Sequence, residues 1–370
     1  MTIFDHIKNY SELVIFFFLK LILPTSNPNI KSILFINTGE IGDLLVSSLL
    51  LENQDIFDNY KKVQFLIKDK YLELLKNYNG KVKIIGYNKK KYKSSLIYKC
   101  KLLSKLRNEN FGKCVHLTAA RGILNEEITH LVGAKEVIAL NSFWKYLGNI
   151  IGKYFDKQYT RIIGDDVLNE YEKHIKLINF LRGTEKEIIF NMGRTFEEYG
   201  INYSKFQEYN DFIAISPFTS SMNRDWRKKY FMEICYKLSD KHKVILLGSA
   251  NQRRELAALC DEVSNVEILA GGLKLNEMPL FLKNAKLYIG LDSGLTHIAL
   301  KIGIPIIAII GGGEFGRFFP YKESHKARYL YSQMDCFLCH WECSKSEMFC
   351  MTDITPQLLI NEVEKVLFKI

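Results

Sequence analysis

At 370 residues the chain has length for two domains, each large enough for its own core, and a composition of 47% hydrophobic and 25% charged residues is ordinary for a soluble α/β protein. The net charge of +10, from 51 Lys and Arg against 41 Asp and Glu, fits a solvated Lys-rich surface, an acidic substrate or an anionic membrane. The lysines are widely scattered and form no basic-aromatic motif, which ranks nucleic acid last among the partners.

In chain order, Leu13–Leu23 (LVIFFFLKLIL) comes first. It is too short for a membrane span and contains Lys20. It follows no basic segment and precedes no small-residue cleavage site, so it does not read as a secretory signal. It is either a buried helix or an interfacial helix with Lys8 and Lys20 toward lipid headgroups. Cytoplasm is the default compartment. After Pro24 and Pro28, Ser32–Asn37 is an apolar strand. Thr38–Asp43 (TGEIGD) is a glycine turn, and Leu44–Leu51 starts an apolar helix. Val63–Ile67, Val82–Gly86, Cys114–Leu117 and Val137–Leu140 are further strands, separated by helical or polar stretches as βαβ units require. The Lys-, Tyr- and Ser-rich span Lys89–Lys105 is expected to be exposed. Asp166–Arg182 has a helical pattern suited to a bridge between domains, and the poorly periodic Glu185–Gln207 marks the junction.

The second half opens with strand Phe212–Ser216, followed by strands Lys243–Gly248, Val266–Leu269, Lys286–Leu291 and Ile304–Ile310. Helices such as Arg253–Val263 alternate with them, and Pro356–Lys369 is a terminal amphipathic helix. Asp292 and Ser293 are both good N-cap residues. Leu295, Ile298, Ala299 and Ile302 recur at helical spacing. Gly303 supplies a left-handed end and Pro305 forbids continuation. Ligands of open α/β sheets bind at the carboxyl ends of strands. A helix opening at Asp292 therefore aims N–H groups and positive dipole charge where a phosphate would lie. His297, four residues after Ser293, stands over the same place.

The stretch DSGLTHIA resembles the donor-site motif of the glycosyltransferases that include bacterial ADP-heptose lipopolysaccharide heptosyltransferases, glycosyltransferase family 9. Asp292, Ser293, Gly294, His297 and Ala299 match its pattern. The resemblance implies an α/β chain of GT-B fold, with two Rossmann-like doubly wound domains facing across a cleft. The expected division is an acceptor-binding domain over 1–185, a linker over 186–210, a nucleotide-sugar domain over 211–355 and a C-terminal helix over 356–370. Gly42 and Asp43 match the family's N-terminal Gly-Asp pair, which makes Asp43 the base for the acceptor hydroxyl; on spacing alone Asp43 could equally be a helix cap. Glu40 is a second carboxylate in the turn and a fallback base. Pro217–Trp226 (PFTSSMNRDW) resembles the second donor segment: Thr219, Ser220 and Arg224 would hold the diphosphate, with Arg where relatives often carry Lys. Arg227 replaces the Pro that often follows the Trp. Gln252 stands where relatives bind ribose with Glu, and Glu255 lies one turn on. Gly311–Gly313 lacks the family's Gly-Pro-Thr.

Cys100, Cys114, Cys235 and Cys260 lie in apolar surroundings and read as core residues. Cys336, Cys339, Cys343 and Cys350 form C-x2-C-x3-C-x6-C. Four thiols so close suit a structural tetrahedral zinc or iron site; the alternative is four free thiols. His340 reads as solvent-facing, with a substitute ligand as the alternative. The resemblance implies inverting transfer of heptose from ADP-heptose to a lipid-linked glycan such as lipopolysaccharide core, without a catalytic cofactor. The expected location is the cytoplasm, at the inner face of the inner membrane if the N-terminal helix is interfacial. Two rivals remain: another GT-B nucleotide-sugar enzyme, a sugar-nucleotide epimerase included, and a metal-stapled nucleic-acid-binding protein.

Overall fold

The structure is a computed structural model. It describes residues 3–76, 78–118, 120–141, 148–165, 169–188, 206–219, 224–260, 263–321 and 326–368. The chain divides into two units, Met1–Ile189 and Phe190–Ile370. Most of the expected linker, from 189 to 205, and Ser220 lie outside the described residues.

Unit 1 is built on six parallel strands: β1 (Asn29–Ile36), β2 (Lys62–Lys68), β3 (Lys83–Tyr87), β4 (Phe111–His116), β5 (Glu136–Leu140) and β6 (Arg161–Ile163). Their order is β3-β2-β1-β4-β5-β6. Unit 2 repeats the arrangement with β7 (Phe212–Ser216), β8 (Val244–Leu246), β9 (Val266–Ile268), β10 (Ala285–Leu291), β11 (Ile306–Ile309) and β12 (Ala327–Leu330), ordered β12-β11-β10-β7-β8-β9. Counted within its own unit, each order is 3-2-1-4-5-6, the doubly wound arrangement whose ligand crevice lies where the winding reverses. That switch point falls between β1 and β4 in unit 1 and between β7 and β10 in unit 2.

The central strands are apolar along their length because helices cover both faces. All five residues of β7 are buried, as are all four of β11. One face of the second sheet packs Ile213, Ile215, Leu287 and Ile289 against Phe231, Ile234 and Leu238 of α7 (Lys228–Ser239) and Leu359 and Val363 of the terminal helix (Pro356–Phe368). Truncating one such side chain to Ala costs about 2–5 kcal/mol. In unit 1, α1 (Ile3–Ile22) sets Phe16, Leu19 and Leu23 into a core shared with α4 (Ile123–Leu131) and α5 (Gly148–Asp156). One face of the apolar N-terminal segment is thus core.

One expectation needs correction, one is qualified and two strands are added. Lys89–Lys105 is largely exposed, as expected, but it is helical, over Lys89–Ser94 and α3 (Leu96–Asn108), and three of its residues turn inward. Tyr92 is fully buried, and Lys99, 8% exposed, pairs with Glu127 at 2.8 Å. The helix at Glu170–Arg182, α6, is not a bridge: it packs within unit 1 against α2 (Ile41–Ser47), and Arg182 binds Asp55 at 2.6 Å. The edge strands β6 and β12 are additional; each is short and partly exposed, so neither has the continuous apolar run that marks a central strand.

Candidate active site

In unit 1 the chain leaves β1 at the switch point and turns into α2. Gly39 permits the turn: a Cβ there would lie 2.4 Å from that of Asp43. Glu40 is the N-cap, with extended backbone, and Asp43 is at N3 of the helix. Each side chain caps the other's backbone, and Asp43 Oδ2 accepts from the Glu40 N–H at 3.0 Å. Thr118, two residues past the end of β4, pins the other side of the turn: its hydroxyl accepts from the Thr38 N–H at 2.9 Å. Beneath α2, Ser47 meets His174 Nε2 at 3.1 Å and receives the Asn37 side-chain amide at 2.7 Å.

The two carboxylates have different surroundings. Glu40 accepts from Lys68, from Lys70 at 2.9 Å and from the Tyr71 hydroxyl at 2.6 Å, and Lys89 approaches to 3.8 Å. Burial pulls its pKa up, but these hydrogen bonds outweigh that and hold it at about 2. A carboxylate so stabilised is a poor proton acceptor at neutral pH, so Glu40 is removed as the fallback base. Asp43 is half-buried at the helix N-terminus. The lysines around Glu40 were missed by sequence reading because they arrive from the end of β2, beside β1 in the sheet but remote in the chain. Burial lowers the Lys68 pKa to about 8, although its bond to Glu40 opposes the change.

In unit 2, β10 ends at Leu291 and Ser293 caps α8 (Gly294–Ile302), which closes on left-handed Gly303. The turn is braced from below. The Thr296 hydroxyl donates to the Leu291 carbonyl and meets Ser293 Oγ at 3.3 Å and the buried Tyr288 hydroxyl at 3.2 Å. His297 is 3% exposed, with Nε2 3.9 Å from Asp292 Oδ1. Its ring lies between Phe318 and Phe319, with centroids 5.1 and 4.6 Å away. Burial first, then the charges of Arg317 and Arg224, push its pKa down to about 3. His297 is therefore neutral at physiological pH, and the charged alternative is dropped.

The charges of Arg224 and Arg317 are both felt at His297. Arg317 follows β11, pairs with Glu314 at 2.7 Å and lies over Phe318. No motif pointed to it. The segment after β7 is held by Asp225, whose Oδ1 accepts from both the N–H of Thr219 (2.8 Å) and its hydroxyl (2.9 Å). The Thr219 hydroxyl proton is thereby engaged within the loop. Trp226 anchors the other end, donating from Nε1 to the Ile354 carbonyl at 2.8 Å. Gln252 follows β8. Its Oε1 accepts from the Ser249 N–H at 2.9 Å and from the Ser249 hydroxyl at 3.0 Å. Glu255 is exposed and pairs with Lys228.

Cys336, Cys339, Cys343 and Cys350 line one cavity of about 20 Å³, room for a single water-sized occupant. Burial and then the other three thiols raise the Cys350 pKa. The donor set is right for a soft metal. Among the described residues, however, no group of three or more ligating side chains is drawn in to coordinating geometry. The tail that carries them lies on the glycine loop: the Leu338 and His340 N–H groups donate to the Gly312 and Gly313 carbonyls, both at 2.8 Å.

A model of glycosyltransferase family 9 (heptosyltransferase) matches residues 180–345. Lipooligosaccharide heptosyltransferase 2 of Campylobacter jejuni serotype O:2 is 21% identical over 88% of this chain and 95% of its own length. Lipopolysaccharide heptosyltransferase 1 of Campylobacter coli is 22% identical over 75% of this chain and 83% of its own length, whereas several other curated heptosyltransferases are matched over less than half of theirs. Among solved structures, a family 9 glycosyl transferase from Veillonella parvula superposes with a TM-score of 0.72 at 14% identity, covering 94% of this chain and 100% of the other. The iron-containing dodecameric glycosyltransferase TibC from enterotoxigenic E. coli gives 0.52 at 14% identity, covering 92% and 79%. The two doubly wound units and these superpositions make the fold GT-B.

Proposed function

We propose that the chain is a glycosyltransferase of family 9, whose model matches residues 180–345, and that it transfers heptose from ADP-heptose to a sugar of lipopolysaccharide core or a related lipid-linked glycan, with inversion. Asp43 takes the proton of the attacking acceptor hydroxyl. The anomeric bond to the diphosphate breaks as the new glycosidic bond forms from the opposite face. The leaving diphosphate gains charge, and Arg224, Arg317 and the N–H groups opening α8 stabilise it. Neutral His297 can donate one hydrogen bond without bringing a charge of its own. This reading needs no catalytic metal. The heptose and the adenine nucleotide come from the resemblance; the residues themselves favour an anionic, nucleotide-like donor.

The observation that carries the proposal is the paired placement at switch points. A carboxylate at a helix N-terminus lies at one, and the helix that opens after β10, carrying buried His297, lies at the other. The test is a thermal-shift panel of ADP-, UDP- and GDP-sugars followed by transfer assays with the donor that binds. Donor at about 100 times its dissociation constant adds about 2.7 kcal/mol of stability. Stabilisation by ADP-heptose and not by its UDP and GDP counterparts supports the donor. Isomerisation of the donor without any acceptor would replace the transferase reading by an epimerase. For the cysteine tail, we propose that the four thiols hold one structural zinc or iron, remote from the chemistry.

A further inference from the structure

The helix α1 is apolar on both sides. Phe16, Leu19 and Leu23 face the core, and that stripe accounts for its folding. The opposite side carries Val14 (69% exposed), Phe18 (50%), Leu21 (85%) and Ile22 (52%). These positions follow helical spacing, so they form one continuous face. A surface helix of a freely soluble protein would be polar there. The face continues onto α5 through the ring contact of Phe17 with Tyr154, centroids 5.8 Å apart. On α5, Ile150 is 76% exposed. Contiguous exposed apolar surface of this kind marks an interaction site.

Charge decides what covers it. Among the described residues of α1 and α5, the exposed charged side chains are Lys20 and Lys153, and Lys157 follows just beyond α5. Asp156 is taken up by Arg121 at 2.5 Å. A second copy of the chain meeting this face symmetrically would bring lysine against lysine with no exposed carboxylate to offset them. An anionic bilayer meets both demands, with acyl chains for the apolar face and phosphates for the lysines. Among the described residues no helix is long and apolar enough to cross a membrane, so the helix would lie in the interface.

We propose that the α1–α5 face is a membrane-docking surface, inserting Phe18, Leu21 and Ile150 at the headgroup level of an anionic bilayer and setting Lys20, Lys153 and Lys157 against lipid phosphates. The inference is independent of the transferase reading, since it concerns residues that take no part in the chemistry.

The test is co-sedimentation of the full chain with phosphatidylcholine vesicles, with and without phosphatidylglycerol, at low and high salt and without substrates. The wild-type protein binds the anionic vesicles and is released by salt. The double variant Phe18→Gln/Leu21→Gln binds about tenfold more weakly, and each of Lys20→Ala and Lys153→Ala lowers binding about fivefold. All these side chains are exposed, so the melting temperature stays close to wild type. Three results would overturn the proposal: no vesicle binding by the wild type, equal binding by the variants, or a wild-type dimer that Phe18→Gln/Leu21→Gln turns into a monomer while vesicle binding is absent.

Discussion

Glu40 and Asp43 cap the same helix turn, and the carboxylate of Glu40 is held from three sides: Lys68, Lys70 and the Tyr71 hydroxyl all donate to it. On the proposed reading Glu40 is the structural carboxylate and Asp43 the reactive one. Asp43→Asn keeps an acceptor for the Glu40 N–H and removes the proton acceptor. It should lower turnover by about 10²–10⁴ and leave donor affinity within about twofold. Glu40→Gln should weaken the hold on Lys68 while retaining turnover that Asp43→Asn loses. Single-turnover rates and donor titrations on both variants check this, and near-normal turnover in Asp43→Asn would remove it from the role.

Arg224 and Arg317 both act on His297, so both are predicted to face the donor diphosphate. Arg224→Ala should raise the donor dissociation constant and also slow transfer, because the leaving group gains charge in the transition state. A charge-assisted hydrogen bond contributes about 1.5–3 kcal/mol, an effect of about 10–150-fold. Arg317→Ala should behave alike and His297→Ala more mildly. If only acceptor kinetics respond, the donor assignment fails.

Three buried histidines make stability depend on acid. His116 and His174 are held to about 4 and His297 to about 3, in each case chiefly by burial. Unfolded, each takes up a proton near pH 6.5. Between 6.5 and the folded value the unfolded chain therefore binds more protons, and stability falls as pH falls through that window. Each histidine contributes a slope of up to about 1.4 kcal/mol per pH unit. Urea unfolding at pH 7, 6 and 5 should show progressive loss, and a single His174→Gln change should flatten the dependence. A pH-independent midpoint across that range would contradict these environments.

Protein purified without chelator should carry about one zinc or iron per chain by elemental analysis. Thiolate ligation releases protons and couples to local folding. Cys339→Ser should therefore raise protease sensitivity over Asp335–Thr352 and lower the melting temperature while leaving transfer measurable. Substoichiometric metal together with four freely titratable native thiols would leave the cluster as unpaired cysteines.

What could be read in advance was local. Strand β10, the Ser293 cap and the Gly303 stop all lie within one short stretch, and the structure places each where spacing and capping require. Asp43 at N3 of its helix was readable for the same reason. What could not be read depends on neighbours across a sheet or between loops. Lys68 reaches Glu40 because β2 lies beside β1, and Phe318 and Phe319 reach His297 from a loop well beyond α8 in the chain. In Lys89–Lys105 the lysines dominate the composition and are mostly exposed, while Tyr92, Lys99 and Leu103, which turn inward, give no clear periodic signal.

The run Gly311–Gly313 looks like a loop left bare for a phosphate. Its neighbours show another use. A Cβ on Gly311 or Gly313 would strike the Trp341 ring, and one on Gly312 would strike Phe337. The loop borrows its bulk from the downstream tail, so the glycines form a socket and two aromatic rings the plug. Alanine at Gly312 would thus eject Phe337 and free the cysteine-bearing tail with it, and a chain truncated before Asp335 would leave the donor half with an open socket beside its own binding edge.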